Sequence, residues 1–490
     1  IGLTCMGQSA ENLFYAVRMC FIKKENFYTL VATILKRVIA LSSKISLEEK
    51  LNVFDPAERR AALQELVRKY SSTLPTVLDN VNMHFHSFFS YNSKWHSPSR
   101  IAWESRKKGL YAAALCDFDV LDGQEEFLDA GLVLSLRTTV HIETRAYMRE
   151  YADVDINSPG ENGIVYIMGG GFARQFPDDS EQARGLLSFR QKACERNREL
   201  VERINAYIPD IAVDYDRDVI PLTPAGSPTE RHIVRAYLNR SREAFGGDAQ
   251  FAQYWSGILK KDKSTIRLLF EDLPSFEEQV RAKLVKRGGL GYKKPSIYTF
   301  PLVDDFLKWV ASCDAVPMAA WLDGTSEGEK DPGQFLEYMR EKGAAALNII
   351  PDRNWNLSDP EERRVKQENL RRIIEIADGI GFPINIGTEM NKLGLPFVDN
   401  LDVDALRPYR EVFLRGARIM IGHTLLLRYA GYSYIGEAAG TDFPEVSEKN
   451  DFFEAAGGLP PLDSDMAKRL QDMGEGKALL WLKRRAQAEY

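Results

Sequence analysis

The stretch Val77-Leu78-Asp79-Asn80-Val81-Asn82-Met83-His84-Phe85-His86-Ser87 decides how the rest of the chain folds around it. The run from Val77 to Met83 is apolar enough for a buried strand, and the polar Ser87, Ser90, Tyr91 and Asn92 beyond it suit the loop at its end. Side chains alternate along a strand, so His84 and His86 point the same way, as a metal site requires. A metal-dependent enzyme is the leading interpretation. One packed and one exposed histidine is the bland alternative.

Downstream, Ser97-Pro98 offers an N-cap with proline at the first helical position, followed by a helix to Gly109 and the apolar strand Leu110 to Cys116. Asp122 opens another helix that stops near Gly131, and Leu132 to Thr144 and Gly163 to Met168 suit further strands. This βαβ alternation predicts a parallel sheet with helices outside. Between about 172 and 298 the strand signal gives way to long helical patterns at 178–207, 227–246, 249–260 and 275–287, which together form a helical insertion. Ser227-Pro228-Thr229-Glu230 predicts a helix start with Ser227 as N-cap and Glu230 as the capping-box acid, leaving His232 on the helix surface. Strand candidates return at Val316–Leu322, Ala345–Ile350 and Pro383–Thr388, separated by helices near 331–342 and 359–380.

The two alternating stretches can close one α/β barrel. The expected division is an N-terminal helical extension over 1–75, barrel halves over 76–171 and 299–430, the helical insertion over 172–298, and a C-terminal extension over 431–490. Residues 11–43 mix apolar runs with charges, and the expectation there is a helical lead-in rather than a signal peptide or a membrane span. The helical periodicity becomes clear from Asp55 to about Tyr70.

Composition excludes several classes of partner. With 44% hydrophobic and 27% charged residues the 490-residue chain is that of a soluble globular protein, and its net charge of −6 offers no footprint for nucleic acid or an anionic membrane. Five cysteines without CxxC spacing suggest neither a thiolate zinc site nor a disulfide framework, which suits a reducing cytoplasm.

In a β/α barrel the chemistry sits at the C-terminal strand ends, and this is where polar residues fall: His84 and His86, Asp117 and Asp119, Glu143, Asp323, Asp352 and Arg353, Glu389 and Asn391. Imidazoles and carboxylates there can bind zinc, manganese or iron. The cluster Asn348, Asp352, Arg353, Asn354 and Trp355 suits an oxygen-rich or anionic small molecule, or else a capped surface loop. Arg145 and Lys392 can pair with a phosphate or carboxylate, or be solvated charges. His141 alternates with Glu143 and suits either a role beside the ligands or core packing; His96 suits an exposed loop, His423 a buried helix, and Gly169-Gly170-Gly171 a tight turn.

In order along the chain, His84-Phe85-His86-Ser87, Ser90-Tyr91-Asn92, Pro98, Gly109-Leu110, Cys116-Asp117-Phe118-Asp119, His141-Ile142-Glu143 and Gly387-Thr388-Glu389-Met390-Asn391 resemble the motifs of the PHP (polymerase and histidinol phosphatase) family, HxHSxxSDG, TDHD, GxE and GSDxH. The resemblance covers about 80–168 and 298–400. It implies a distorted seven-stranded β/α, TIM-like barrel and metal-dependent phosphoester hydrolysis. Phe118, Asn391 and Tyr166 stand where the family carries histidines, and Glu389 where it has aspartate. Family members gather two or three metals, whereas the retained set His84, His86, Glu143 and Glu389 corresponds to one. The resemblance therefore implies one divalent metal per chain, with Asp117 as a further ligand or as the base that orients the water.

The expected activity is a PHP-type hydrolase acting on a small anionic substrate, a phosphate ester above all, with Arg353 among the catalytic groups. The alternatives are a non-catalytic protein that uses a degenerate site for ligand binding, and an amidohydrolase-like or sugar-acid enzyme acting on a carbonyl. The insertion would cover the barrel mouth or build an interface, and a homo-oligomer is compatible with the latter.

Overall fold

The computed structural model describes residues 45–488. The helical lead-in expected over 11–43 lies outside the described residues. Leu47–Lys50 is a short helix in a unit of its own, and everything below concerns the compact unit that begins at Leu51.

Seven strands form one sheet in chain order: β1 Val81–Phe85, β2 Ala112–Phe118, β3 Arg137–Tyr147, β4 Ile164–Gly170, β5 Val316–Trp321, β6 Ala346–Ile349 and β7 Ile384–Ile386. Beyond β7 the chain returns to β1. The His86 amide donates to the Glu389 carbonyl at 2.9 Å and the Glu389 amide to the His84 carbonyl at 2.8 Å, so the sheet nearly closes into a barrel with a seam there. Gly387 allows the approach, because a Cβ on it would lie 2.4 Å from the His84 Cβ. Helices surround the sheet, and the expected α/β barrel with helical additions is the observed architecture.

Several expectations change, among them the strand expected from Leu132, which begins at Arg137 after a helix that runs on to Leu134. The first strand starts at Val81 rather than Val77; Val77 and Leu78 are 43% and 49% exposed, on a connection whose amides and carbonyls bond to Gly109 and Tyr111 outside the sheet. Apolar character alone does not set where pairing begins.

The sheet is mixed rather than parallel. β4 runs antiparallel to both β3 and β5. Tyr147 of β3 pairs with Ile164 of β4, and the residues between them form a loop with a single 3-10 turn, whereas a parallel return needs a crossover across the sheet.

The helix after residue 227 is Glu230–Phe245 with Thr229, not Ser227, as N-cap. Its capping box is closed by His232, whose Nδ1 accepts from the Thr229 amide at 3.0 Å. His232 is fully buried against the edges of Tyr91 and Trp95 rather than on the helix surface. That packing ties the insertion to the loop after β1, and it frees Glu230 to face elsewhere.

The insertion comprises helices Glu181–Tyr207, Glu230–Phe245, Asp248–Leu259, Leu273–Leu284 and the unexpected Lys263–Glu271, which Asp262 caps. These helices bury Ile204, Ile233, Tyr237, Phe251, Trp255, Phe276 and Val280 in a core of their own. Asp55 and Ser97 cap the helices Pro56–Tyr70 and Pro98–Lys107, the latter as expected, with Ser97 Oγ accepting from the Arg100 amide. The C-terminal helices include Arg410–Ala430, in which His423 is buried as expected, and Val446–Gly458, Ser464–Met473 and Glu475–Ala488.

Candidate metal centre

His84 and His86 lie at the C-terminal end of β1, and Glu143 on β3 stands opposite Phe118 of the intervening β2. Glu143 Oε2 lies 3.3 Å from His84 Nε2 and 3.4 Å from His86 Nε2. All three side chains are buried, and none of these three atoms has a hydrogen-bond partner. Among the described residues they form the one group of three or more histidine, cysteine or carboxylate ligands compact enough to hold a metal ion. Buried polar atoms rarely go unpaired, so three converging on one point fit the donor set of a bound cation.

The far side of each imidazole is fixed. His84 Nδ1 lies 2.9 Å from Asn348 Oδ1, on β6 across the barrel, so the amide oxygen accepts its proton and Nε2 keeps the lone pair. His86 Nδ1 lies 3.3 Å from Ser90 Oγ, which donates to Asp117 Oδ1 at 2.6 Å and so is left to accept from the ring. Phe118 stacks on the His86 ring, 4.9 Å between centroids and 6° between planes.

Burial pushes the Glu143 carboxyl up, but the two imidazoles outweigh it and hold it down at about 2. Burial likewise opposes charge on His84, yet Cys116 and Glu143 raise it well above the usual range. The trio therefore favours positive charge at its centre.

The remaining expected residues separate. Asp117 is placed behind His86, not among the converging atoms: it accepts from the Ser87 amide at 2.7 Å, Ser87 Oγ at 2.6 Å and Ser90 Oγ at 2.6 Å. Glu389 borders the pocket but turns Oε2 to Arg353 Nη2 at 3.0 Å and to Asn391 Nδ2 at 3.2 Å. Burial raises its carboxyl, but Arg353 more than reverses this. Glu389 and Met390 both adopt left-handed backbone, φ 60° and 59°, a costly conformation stored at the seam.

Asn348 lines the pocket, though its oxygen serves His84. Arg145 lines it too, paired with Glu161 at 2.9 Å. Asp352 and Lys392 do not: Asp352 accepts from Asn356 in the single helical turn Asp352–Trp355, and Lys392 is exposed. Asp323 is a turn residue that holds Thr325 and Lys366. His96 is buried rather than exposed, and burial, then Arg100, lowers it to about 3. His141 is also buried, lowered to about 3 by burial and then by His84, and stands outside the converging group.

The centre opens into a cavity of about 220 Å³ lined by six arginines, Arg145, Arg190, Arg196, Arg231, Arg281 and Arg353, against four carboxylates, Asp119, Glu143, Glu230 and Glu389. Sequence inspection missed the contributions of the insertion. One signal was available: Arg190, Cys194 and Asn197 recur at i, i+4 and i+7 and so share one face of the helix Glu181–Tyr207. Arg231 and Arg281 had none, because the docking of separate helices brings them in. The insertion thus covers the barrel mouth.

No described helix is long and apolar enough to cross a membrane. No protein-family model and no curated protein matches the chain. Solved structures similar to it include the following two. An amidohydrolase from Chromobacterium violaceum, with bound sulfate and no metal, is 16% identical, with 68% of this chain and 95% of that one covered and a TM-score of 0.44. A protein described as a metal-dependent phosphoesterase, from Bifidobacterium adolescentis, is 20% identical, with 68% of this chain and 96% of that one covered and a TM-score of 0.42.

Proposed function

We propose that the chain is a metal-dependent hydrolase of small anionic substrates, phosphate esters first among them, on a PHP-like barrel in a reducing cytoplasm. The observation that carries this reading is the convergence of three buried, unpartnered ligand atoms, on His84, His86 and Glu143, at the base of an arginine-lined pocket. One zinc, manganese or iron ion per chain fits that donor set, and when bound it supplies a Lewis acid that polarises a substrate oxygen and lowers the pKa of water.

The chain's own residues do the rest. Asn348 and the Ser90–Asp117 pair hold the two imidazoles in one tautomer and orientation. Arg353 and Arg145 present guanidinium groups to the anion, and Glu389 holds Arg353 at the pocket edge until the anion competes for it. The insertion helices exclude bulk water and strengthen each of these interactions. Asp117 is a positioning residue in this scheme, acting on His86 through Ser90.

The test is metal content by elemental analysis of protein purified without chelators or a His-tag, with His84→Ala and Glu143→Ala alongside. About one transition metal per chain, lost in both variants, is the expected result, followed by turnover of phosphate esters. Protein that stays empty on reconstitution sinks the proposal in favour of a non-catalytic binding protein. Turnover of amides or uronates in place of esters moves the chemistry to a carbonyl.

A further inference from the structure

A second cavity, about 430 Å³, lies between the insertion and the strands β3 and β4 with their connecting loop, and shares Arg145, Tyr166, Arg196, Asn197 and Glu230 with the metal-centre pocket as a common wall. Seven cations line it against four carboxylates, in a chain whose net charge is −6. Local ion pairs absorb only part of that excess. Arg145 has Glu161 at 2.9 Å, Lys286 has Glu230 at 2.8 Å and Arg203 has Glu199 at 3.3 Å. Among the described residues, no carboxylate lies within ion-pair distance of Lys192, Arg196 or Arg287.

Arg196 is the informative one. Its guanidinium donates to the Thr299 carbonyl at 3.3 Å, and it lies 4.5 Å from the centroid of Phe300, while Arg145 lies 4.6 Å from the same centroid. Two guanidinium groups on one ring repel each other, and burial together with Arg145 lowers Arg196 to about 10. Asp119, which attracts it, is engaged by Thr144 Oγ1 at 2.6 Å. Both guanidinium groups line the cavity, where a bound oxyanion would offset their repulsion, and planar guanidinium groups suit phosphate or carboxylate.

We propose that the second cavity is a distal anion subsite, which takes the phosphate-type group at one end of an elongated substrate whose other end reaches the metal centre, with Arg196 at the junction. The substrate class is then a small molecule with two separated anionic groups. The role of the near end rests on the hydrolase proposal; the anion site itself does not.

The test is calorimetric titration of inorganic pyrophosphate into the full chain, comparing wild type, His84→Ala and the double variant Lys192→Gln/Arg287→Gln. Lys192 and Arg287 line the second cavity and not the metal-centre pocket. Binding should persist within about 2-fold in His84→Ala and weaken about 10-fold or more in the double variant, whose melting temperature and metal content stay at wild-type values. The single variant Arg287→Gln, at an exposed position, should show part of the loss if the double variant folds poorly.

Wild type that fails to bind, or a folded double variant that binds within about 2-fold of wild type, overturns the subsite. Binding lost in His84→Ala also overturns it, since the anion then sits at the metal centre. Retained pyrophosphate binding in protein that takes up no metal would sink the hydrolase proposal and leave the anion subsite standing.

Discussion

His84 Nδ1 lies 2.9 Å from Asn348 Oδ1, a bond that spans the barrel from β1 to β6 and leaves Nε2 as the only lone-pair nitrogen of that ring. Replacing Asn348 with Leu removes the acceptor, and the ring is then free to rotate or change tautomer. Metal affinity should fall about 10- to 100-fold. A chelator-competition titration measures it, and unchanged affinity would show that Asn348 does not orient the ligand.

Asp117 and Ser90 separate stability from binding. Asp117→Ala leaves the Ser87 amide, the Ser87 hydroxyl and the Ser90 hydroxyl without an acceptor in a buried site, and should cost about 3 kcal/mol or more. Ser90→Ala removes one contact to His86 and should lower metal affinity with a smaller loss of stability, about 1 kcal/mol. Thermal melting and metal titration of both variants decide; equal effects on both quantities would refute the division of labour.

Four buried histidines, His96, His141, His232 and His423, are held below the usual range and set an acid limit, and the last two show how. His423 accepts from the Tyr434 amide at 3.1 Å through Nδ1 and contacts the Gly171 carbonyl at 3.2 Å through Nε2; burial lowers it to about 4. Burial, then Arg235, lowers His232 to about 3. Both folded-state values lie below the unfolded value near 6.5, so the unfolded chain binds more protons and stability is lost as pH falls below about 6.5. At pH 5 the loss is about 2 kcal/mol for each group. Unfolding between pH 7 and 5 should show that slope, and His232→Gln should remove its share; a slope unchanged in the variant would rule His232 out.

Gly171 has φ +79°, and a Cβ there would lie 2.1 Å from His423 Cδ2 and 2.4 Å from Nε2. Gly171→Ala combines left-handed strain with displacement of a buried imidazole and should cost about 2–4 kcal/mol. Its metal content should match wild type, because His423 lies outside the converging group. A melting temperature equal to wild type would mean that the helix Arg410–Ala430 shifts freely there.

Much of the barrel was legible because strands and helices leave periodic traces in the chain. Ser97-Pro98 marked its helix correctly, since a cap acts within four residues and needs nothing from afar. Ser227-Pro228 carried the same local signal and misled, because burial of His232 against Tyr91 and Trp95 shifted the cap to Thr229. The antiparallel course of β4 left no trace in its own residues, because a short apolar strand pairs equally well in either direction and the connecting loop decides.

The centre divides in the same way. Alternation along single strands suffices to aim His84 with His86, and the sequence by itself determined that these imidazoles would sit at a strand end, with Glu143 on a separate strand. Whether Asp117, Glu389 and Asn348 would touch a metal, a substrate or one another depended on hydrogen bonds between residues far apart in the chain: 30 positions for Ser87 and Asp117, 36 for Arg353 and Glu389, 264 for His84 and Asn348. The arginines of the insertion reached the pocket only through packing of the helix core around Tyr237 and Trp255. Local periodicity encodes which way a side chain points from its own strand or helix; which partner it meets follows from how those elements dock, and burial of distant apolar faces drives that docking.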